Sequence, residues 1–439
     1  MNPGFLGLIL AAIVFYTPLQ LHMPVPTGIP GVNVLNLLFL AALLGLQTKP
    51  AAVPGQLAPM PAAPTPLKGN FLLWFAGLGI ALLISLFRGG APPGEDITEY
   101  KNAIFFPLYF FLFYHGVRDL DTARIVYFAI MAIAALTMLQ AVRQGLDYGL
   151  ANFNEMKRAA GPFSSDWTNS NRAGVFFAMF TPAFAAFALY IRGRYAWLKW
   201  FAAGAAAVGV FATFVTYSRQ AYFILGLSML VLFIRRSPVW VMLAVVALLN
   251  VQFWAPEAVV ERVEMTQQED EETGEVVLEE SAESRLIIWE AAGKMILDHP
   301  EGVGLMRFRK TIPQYLDTLG IDAHNAYVLT AAEANVITAV VMLVLLLRLG
   351  GLAFPLLRNP DAEAQVLGWT LLMCAIGAIL GNMYGSFVYF GAAMGNVWAL
   401  AGLAARATQL YAAGASPVGA AAPLVSGPAP ALATGRRTL

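Results

Sequence analysis

The sequence predicts an all-α polytopic membrane protein with about 12 transmembrane helices. Of its 439 residues, 58% are hydrophobic and only 12% are charged, which is about half the charged fraction of a typical soluble domain. Apolar runs of about 20 residues recur along the chain, and a helix of that length spans the hydrocarbon core of a bilayer. These runs do not alternate apolar with polar residues as the strands of a membrane barrel do, so we expect helices.

Each predicted span follows from one apolar run. The first lacks a basic start and a small-residue cleavage site, so we expect it to be retained rather than removed as a signal peptide. The last two are separated only by the short polar stretch 381–386, and a merged or shifted pair is the alternative. The runs lie at about 4–21, 31–47, 71–87, 102–117, 123–142, 173–191, 197–216, 220–234, 238–254, 325–347, 365–383 and 387–405.

Charge is sorted between alternate loops. Short loops rich in Lys and Arg face the cytoplasm, so the pattern predicts an even number of spans with both termini cytoplasmic. The acidic residues gather in the other loops, which we expect to face outward. The basic side carries Lys49, Lys68, Arg118, Arg124, Arg192, Arg194, Lys199, Arg235, Arg236, Arg348, Arg358 and Arg406.

The chain divides into four predicted parts. Nine helices occupy 1–254, a large outward loop follows at 255–324, and three helices occupy 325–410. The tail 411–439 has few large apolar residues, so we expect it to be disordered in the cytoplasm. The segment 48–69 is rich in Pro and Ala and is interpreted as a cytoplasmic linker.

The large outward loop begins with a charged insert and continues as a helix. Residues 256–283 include the acidic insert 264–283, whose acidic run 267–272 is too charged to enter lipid, so we expect a solvated flexible loop; a role in repelling or selecting a substrate is the alternative. After Ser284, residues Leu286, Trp289 and Ile296 fall at helical spacing up to Pro300. This short helix is predicted to lie on the outer membrane surface.

Four outward arginines are candidates for binding an anion: Arg88, Arg172, Arg219 and Arg285. Arg219 is the most informative, because its turn between two spans is very short and its charge violates the positive-inside trend. For each of them, an interfacial arginine that reaches lipid headgroups is the alternative interpretation. Arginine forks bind phosphate well, so the group predicts a phosphate-type ligand outside the membrane.

A histidine and a carboxylate stand near the tenth span. His324 precedes the span, with Asp322 and Asn325 beside it, and its near-neutral pKa suits a base that takes a proton from a hydroxyl. The alternative is an interfacial histidine bonded to a backbone carbonyl. Glu333 lies inside the span, where a carboxylate is a functional candidate, although a structural partner for a buried polar group is favoured.

No metal or other cofactor is expected. The four histidines and the single Cys374 show no metal-ligand spacing, and one cysteine permits no intrachain disulfide. Outward arginines beside a histidine base suggest transfer from a lipid-linked diphosphate donor, because no nucleotide is available outside the cytoplasm.

Several motifs together resemble the O-antigen ligase and O-antigen polymerase superfamily. They are Tyr217-Ser218-Arg219-Gln220-Ala221, Ser284-Arg285 with Trp289, His299-Pro300-Glu301-Gly302-Val303-Gly304, and His324-Asn325. The resemblance implies that Arg219 and Arg285 contact the diphosphate and that His324 activates the acceptor hydroxyl. Arg172 and Arg88 are further candidate substrate-binding residues that match no family motif, and Asn325 of the His324-Asn325 motif is another candidate. Arg309 and Gly320 are spaced as in many polymerases.

The resemblance implies a metal-independent, inverting glycosyltransferase of the bacterial inner membrane with a periplasmic active site. Its donor would be a glycan on undecaprenyl diphosphate and its acceptor the lipid A–core, with membrane lipids around it and no nucleic acid involved. The first alternative is a polymerase of the same superfamily, which joins lipid-linked repeats. A transporter of lipid-linked sugars would carry charges along a path through the membrane, and a structural subunit of a cell-wall complex would not depend on His324.

Overall fold

The computed structural model describes residues 3–25, 27–28, 32–48, 63–89, 92–150, 153–164, 167–264, 267–269, 276–278, 280–318 and 320–415. Within them the protein is all-α, as predicted, apart from one pair of three-residue strands. Most of the predicted linker, the middle of the acidic insert and the tail from 416 lie outside the described residues.

The N-terminal region is a succession of apolar helices. A six-residue 3-10 helix, Gly193–Leu198, directly precedes the eighth helix, and the two together cover most of the seventh predicted span. The helices are α1 (Pro3–Tyr16), α2 (Val34–Gln47), α3 (Lys68–Arg88), α4 (Pro93–Phe105), α5 (Leu108–Gly116), α6 (Leu120–Tyr148), α7 (Ser170–Tyr190), α8 (Lys199–Phe214), α9 (Arg219–Ile234) and α10 (Pro238–Leu249).

The second half contains the outward region and the remaining helices. Strands β1 (Gln267–Glu269) and β2 (Val276–Leu278) pair antiparallel. The helices are α11 (Glu257–Glu264), α12 (Glu280–Asp298), α13 (Phe308–Thr311), α14 (Ala326–Ala334), α15 (Val336–Gly351), α16 (Ala353–Leu357), α17 (Ala362–Gly381) and α18 (Gly391–Ala415).

Every predicted span coincides with helical structure, and several helices meet the requirements for crossing a bilayer. Among the described residues, six helical segments are long and apolar enough, and four apolar helices are shorter. Helix α7 lies at the centre of the bundle, where it packs against α8, α9 and α17. The six segments are Lys68–Arg88, Leu120–Tyr148, Ser170–Tyr190, Gly193–Phe214, Val336–Leu357 and Ala362–Gly381.

The fourth predicted span is not one helix. The chain forms α4 and α5 in its place, with the interruption at Phe106 and Pro107. Proline has no backbone N–H to donate and clashes with the preceding turn, which explains the interruption. Helix α4 starts at Pro93, nine residues earlier than the predicted span, because proline is favoured at the first helical position.

The tenth predicted span is also broken, at Asn335. Its φ of 82° is incompatible with a continuous helix. The Asn335 side chain accepts a hydrogen bond from Thr338 N at 3.0 Å and thereby caps α15. The carbonyl oxygens of Ala332 and Glu333, at the end of α14, accept bonds from Val303 N at 2.8 Å and Gly304 N at 3.0 Å. The break is therefore stabilised by a distant segment.

That segment threads between α3 and α14. Gly302 and Gly304 have φ values of 94° and 102°, which favour glycine. A Cβ atom at Gly302 would lie 2.5 Å from the carbonyl oxygen of Glu333, so no larger residue fits without movement. Leu305 N donates to Ala81 O of α3 at 3.1 Å. Gly302 and Gly304 thus allow this segment to pack closely against α3 and α14 and to connect the loop region to the helical bundle.

The outward region is more ordered than the sequence predicted. Part of the predicted flexible loop forms α11, where Ala258 and Val259 are buried against Phe214 and Tyr217. Helix α12 spans 19 residues rather than about 14. It ends at Asp298, as the following His299-Pro300 indicates. Its apolar face is buried against the loop segments before α13 and α14, whereas Leu286, which we expected in that face, is 53% exposed.

At the C-terminus, α18 extends to Ala415, so the predicted boundary at 410 lies within a helix.

Candidate functional site

Arg219 is the first residue of α9 and follows a tightly folded turn. Tyr217 has a φ of 49°, and its N–H donates to Phe214 O at 2.9 Å. A non-glycine residue in the left-handed region is uncommon, and such conformations cluster at functional sites. The turn keeps Arg219 half-buried at the N-terminal end of the helix.

Arg158 fixes this turn from the neighbouring loop. The residue is only 4% exposed, and its Nε donates to Thr216 O at 2.9 Å. Its guanidinium also bonds to Glu155 and Asn171. Arg158 was not predicted as a candidate from the sequence. Like Arg219, it is a basic residue in the loops that carry most of the acidic residues and are predicted to face outward.

His324 also has a left-handed backbone, with a φ of 48°. The side chain of the next residue, Asn325, accepts bonds from Tyr327 N at 2.9 Å and Val328 N at 3.2 Å and caps α14. On the other side, Trp289 Nε1 donates to Ala323 O at 2.8 Å. Trp289 therefore connects α12, which carries Arg285, to the segment that carries His324.

The electrostatic surroundings of His324 identify its neighbours. The residue is exposed, yet nearby protein atoms desolvate its ring, and this is the main reason why the pKa of His324 is lowered. Asp322 raises the pKa, whereas Arg285, Arg309 and Arg172 lower it further. The imidazole is therefore biased towards its neutral form, which can accept a proton.

A cavity of about 390 Å³ contains Arg219 and Arg285. We call it the cationic cavity, because none of the described residues that line it is acidic. Two arginines in one cavity suit an anion such as a diphosphate. Its lining comprises Arg219, Gln220, Tyr222, Phe223, Val263, Arg285 and Tyr384.

A second cavity, of about 280 Å³, contains Arg172 and Arg309 together with three carboxylates. We call it the mixed-charge cavity. The charges that act on His324 belong to both linings: Arg285 lines the first cavity, whereas Arg172, Arg309 and Asp322 line the second. The polar and aromatic lining comprises Glu99, Asn102, Arg172, Arg309, Asp322, Glu333, Ser386, Tyr389 and Phe390.

The structure places Arg219 and Arg285 in the cationic cavity and Arg172 in the mixed-charge cavity, whose lining also contains Asp322, two residues before His324. Arg172 donates to Asn169 Oδ1 at 3.0 Å and lies over the Phe390 ring, 4.9 Å from its centroid. The guanidinium of Arg88 instead pairs with Glu301 at 2.6 Å and lines neither cavity.

Two further candidates have structural contacts. The Asn325 amide oxygen is engaged in capping α14. Glu333 is buried, and its carboxylate accepts a bond from Phe308 N at 3.1 Å, so it supports the backbone that precedes α13 while lining the mixed-charge cavity.

A buried ion pair fixes the wall of the mixed-charge cavity. Arg307 donates to the two carboxylate oxygens of Asp96 at 2.9 and 2.7 Å, and both residues are buried. The pair joins α4, which carries Glu99, to α13, which carries Arg309. Sequence analysis did not single out either residue of the pair.

Comparison with known proteins gives one finding. Residues 204–343 match the family model described as O-antigen ligase. The resemblance to the O-antigen ligase and polymerase superfamily is confirmed. The matched residues include Arg219, Arg285 and His324, whereas Arg88 and Arg172 precede them. No curated protein matches the chain. With the apolar helices, the match indicates a membrane protein similar to the O-antigen ligase family over these residues, and it supports a glycosyltransferase-like activity.

Proposed function

We propose that this O-antigen ligase family member is an inner-membrane glycosyltransferase whose site faces the periplasm. It would transfer a glycan from undecaprenyl diphosphate to a hydroxyl of the lipid A–core. The observation that carries the proposal is the shared cavity of Arg219 and Arg285, together with the hydrogen bond from Trp289, on the helix of Arg285, to Ala323, which precedes His324. This arrangement supports a proton acceptor near a site suited to a diphosphate leaving group.

The reaction follows from this arrangement. The acceptor hydroxyl oxygen forms a bond to the anomeric carbon, while the bond from that carbon to the diphosphate oxygen breaks. The hydroxyl proton passes to a neutral ring nitrogen of His324. The diphosphate leaves with the bond's electron pair, and Arg219 and Arg285 stabilise the charge that develops on it. Attack opposite the leaving group inverts the anomeric configuration.

Transfer by the purified protein in detergent tests this proposal. With undecaprenyl-diphosphate glycan and lipid A–core as substrates, His324→Ala is expected to lower kcat by about 10²–10⁴-fold, because a general base is lost. Arg219→Ala and Arg285→Ala should lower kcat/KM for the donor by roughly 10- to 150-fold, because each removes a charged contact worth about 1.5–3 kcal/mol.

The matched control is Arg143→Ala, since the Arg143 side chain is on the outward end of α6 and is 84% exposed. Undiminished transfer by His324→Ala would remove the mechanism. Transfer only to a second lipid-linked repeat would assign the protein as a polymerase. Movement of the glycan across vesicles without bond transfer would favour a transporter.

A further inference from the structure

The mixed-charge cavity differs chemically from the cationic cavity. It contains the carboxylates of Glu99, Asp322 and Glu333, which would repel a diphosphate and offset its two arginines. Carboxylates accept hydrogen bonds from hydroxyl groups, while guanidinium and amide N–H groups donate to hydroxyl oxygens. A lining that combines both suits a polyhydroxyl ligand.

The position of the cavity relative to His324 also indicates which substrate it serves. In an inverting displacement the nucleophile approaches opposite the leaving group. If the diphosphate lies between Arg219 and Arg285, the acceptor needs a separate site near His324. The mixed-charge cavity has a separate lining that contains Asp322, two residues before His324.

The volume and lining limit what can enter. About 280 Å³ is near the lower end of ligand pockets, which measure roughly 300–1,000 Å³. This volume suits a sugar ring better than a lipid chain. Ser386 is buried, and its hydroxyl has no hydrogen-bond partner among the described residues, so a polar group in the wall remains available if the pocket adjusts on binding.

The walls are built from separate elements held in a defined relation. Glu99 and Asn102 are three residues apart on α4 and share one face. Arg309 on α13 lies across from them, with its guanidinium 3.9 Å from the Asp322 carboxylate. The Asp96–Arg307 pair joins these two walls.

We propose that the mixed-charge cavity binds a sugar ring of the acceptor, with Glu99 and Arg309 as specificity-determining residues. The inference rests on the proposed function. It separates the substrates: the cationic cavity takes the donor diphosphate, the mixed-charge cavity takes the acceptor saccharide, and His324 acts between them.

Equilibrium binding to the purified full chain tests the assignment. The probe is core oligosaccharide released from lipopolysaccharide by mild acid, which carries no acyl chains. Glu99→Gln and Arg309→Ala are expected to raise its Kd by about 10- to 100-fold, because each removes a charged hydrogen-bonding group. Binding of undecaprenyl diphosphate should stay unchanged in both variants.

Two neighbouring residues provide matched controls. Glu95→Gln alters an acid one turn earlier on α4, and Lys310→Ala alters the cation next to Arg309; neither residue lines the mixed-charge cavity. Both variants should bind the oligosaccharide as the wild type does. A glycan released from the lipid-linked donor, used as a second probe, distinguishes a core acceptor from a repeat-unit acceptor.

The inference is overturned if the wild type binds neither saccharide. It is also overturned if Glu99→Gln and Arg309→Ala weaken donor binding while saccharide binding is retained. A third contradicting outcome is a loss of saccharide affinity in Glu95→Gln and Lys310→Ala as large as the loss in Glu99→Gln and Arg309→Ala. These outcomes are distinct from failure of the proposed function, which would appear as absence of glycan transfer by the wild type with both substrates supplied.

Discussion

Two groups of arginines on the outward side of the protein have opposite surroundings. Arg158 and Arg307 are buried and bonded to carboxylates, and each joins separate segments of the chain. Arg219 and Arg285 are half-buried and line a cavity whose described lining contains no acid. An arginine that is bonded to a carboxylate and joins separate segments stabilises the fold, and we call such a residue a structural clamp. The arginines that line the cationic cavity instead provide a positive field for an anionic ligand.

The largest effect that tests this comparison is on stability. Asp96→Asn leaves the Arg307 guanidinium buried without its counter-charge, and breaking such a pair costs about 3–5 kcal/mol. Denaturant unfolding in detergent micelles, followed by tryptophan fluorescence, measures the change. Glu95→Gln, one residue away and exposed, should stay within about 0.5 kcal/mol of the wild type.

Arg219→Ala is the informative counterpart in the same unfolding assay. If Arg219 is a ligand-binding residue, its loss should change donor use far more than the free energy of unfolding. A loss of stability as large as that of Asp96→Asn would show that both groups are clamps and would end the distinction between them.

The fold was predictable to the extent that hydropathy determines it. Spans and their helical nature follow from apolar runs that must satisfy their own backbone in lipid. The break at Asn335 was not predictable, because it depends on hydrogen bonds from Val303 and Gly304, some 30 residues earlier in the chain. The interruption at Pro107 had a local signal in the proline itself.

The candidate site was predictable only in part. Arg219 and His324 stand at the ends of predicted spans and Arg285 lies in the loop between two of them, where sequence position alone predicts a place near the membrane surface. Sequence cannot tell which outward arginines meet a carboxylate, so Arg88 was grouped with them, and the buried Arg158 and Arg307 were missed. Pairing of this kind depends on tertiary contacts between distant segments, such as the one joining Asp96 to Arg307.

An intermediate effect is expected in the pH dependence of transfer. A general base works in its neutral form, so activity falls as the pH drops through the pKa of His324. Because that pKa is lowered, the acidic limb of kcat/KM should lie below the ordinary imidazole value of about 6.5. Arg285→Ala removes a cation that lowers the pKa of His324. The acidic limb of this variant should therefore move to higher pH.

Asp322→Asn should shift the acidic limb of kcat/KM in the opposite direction to Arg285→Ala. The Asp322 carboxylate raises the pKa of His324, so its neutralisation should move the acidic limb to lower pH. The measured quantity is the pH at the midpoint of the acidic limb, which does not depend on how far the maximal rate falls. Shifts in the same direction for both variants would mean that the limb reports another group, and the role of His324 as base would lose its support.

The smallest effect is expected at Arg88, the outward arginine that pairs with a carboxylate while remaining exposed. Its side chain is 38% exposed and that of Glu301 is 52% exposed, and such surface pairs contribute about 0–1 kcal/mol. Arg88→Ala and Glu301→Gln should therefore leave both donor KM and unfolding nearly unchanged. A tenfold rise in donor KM for Arg88→Ala, without a similar rise for Glu301→Gln, would return Arg88 to the substrate site and show that a carboxylate partner does not by itself exclude a binding role.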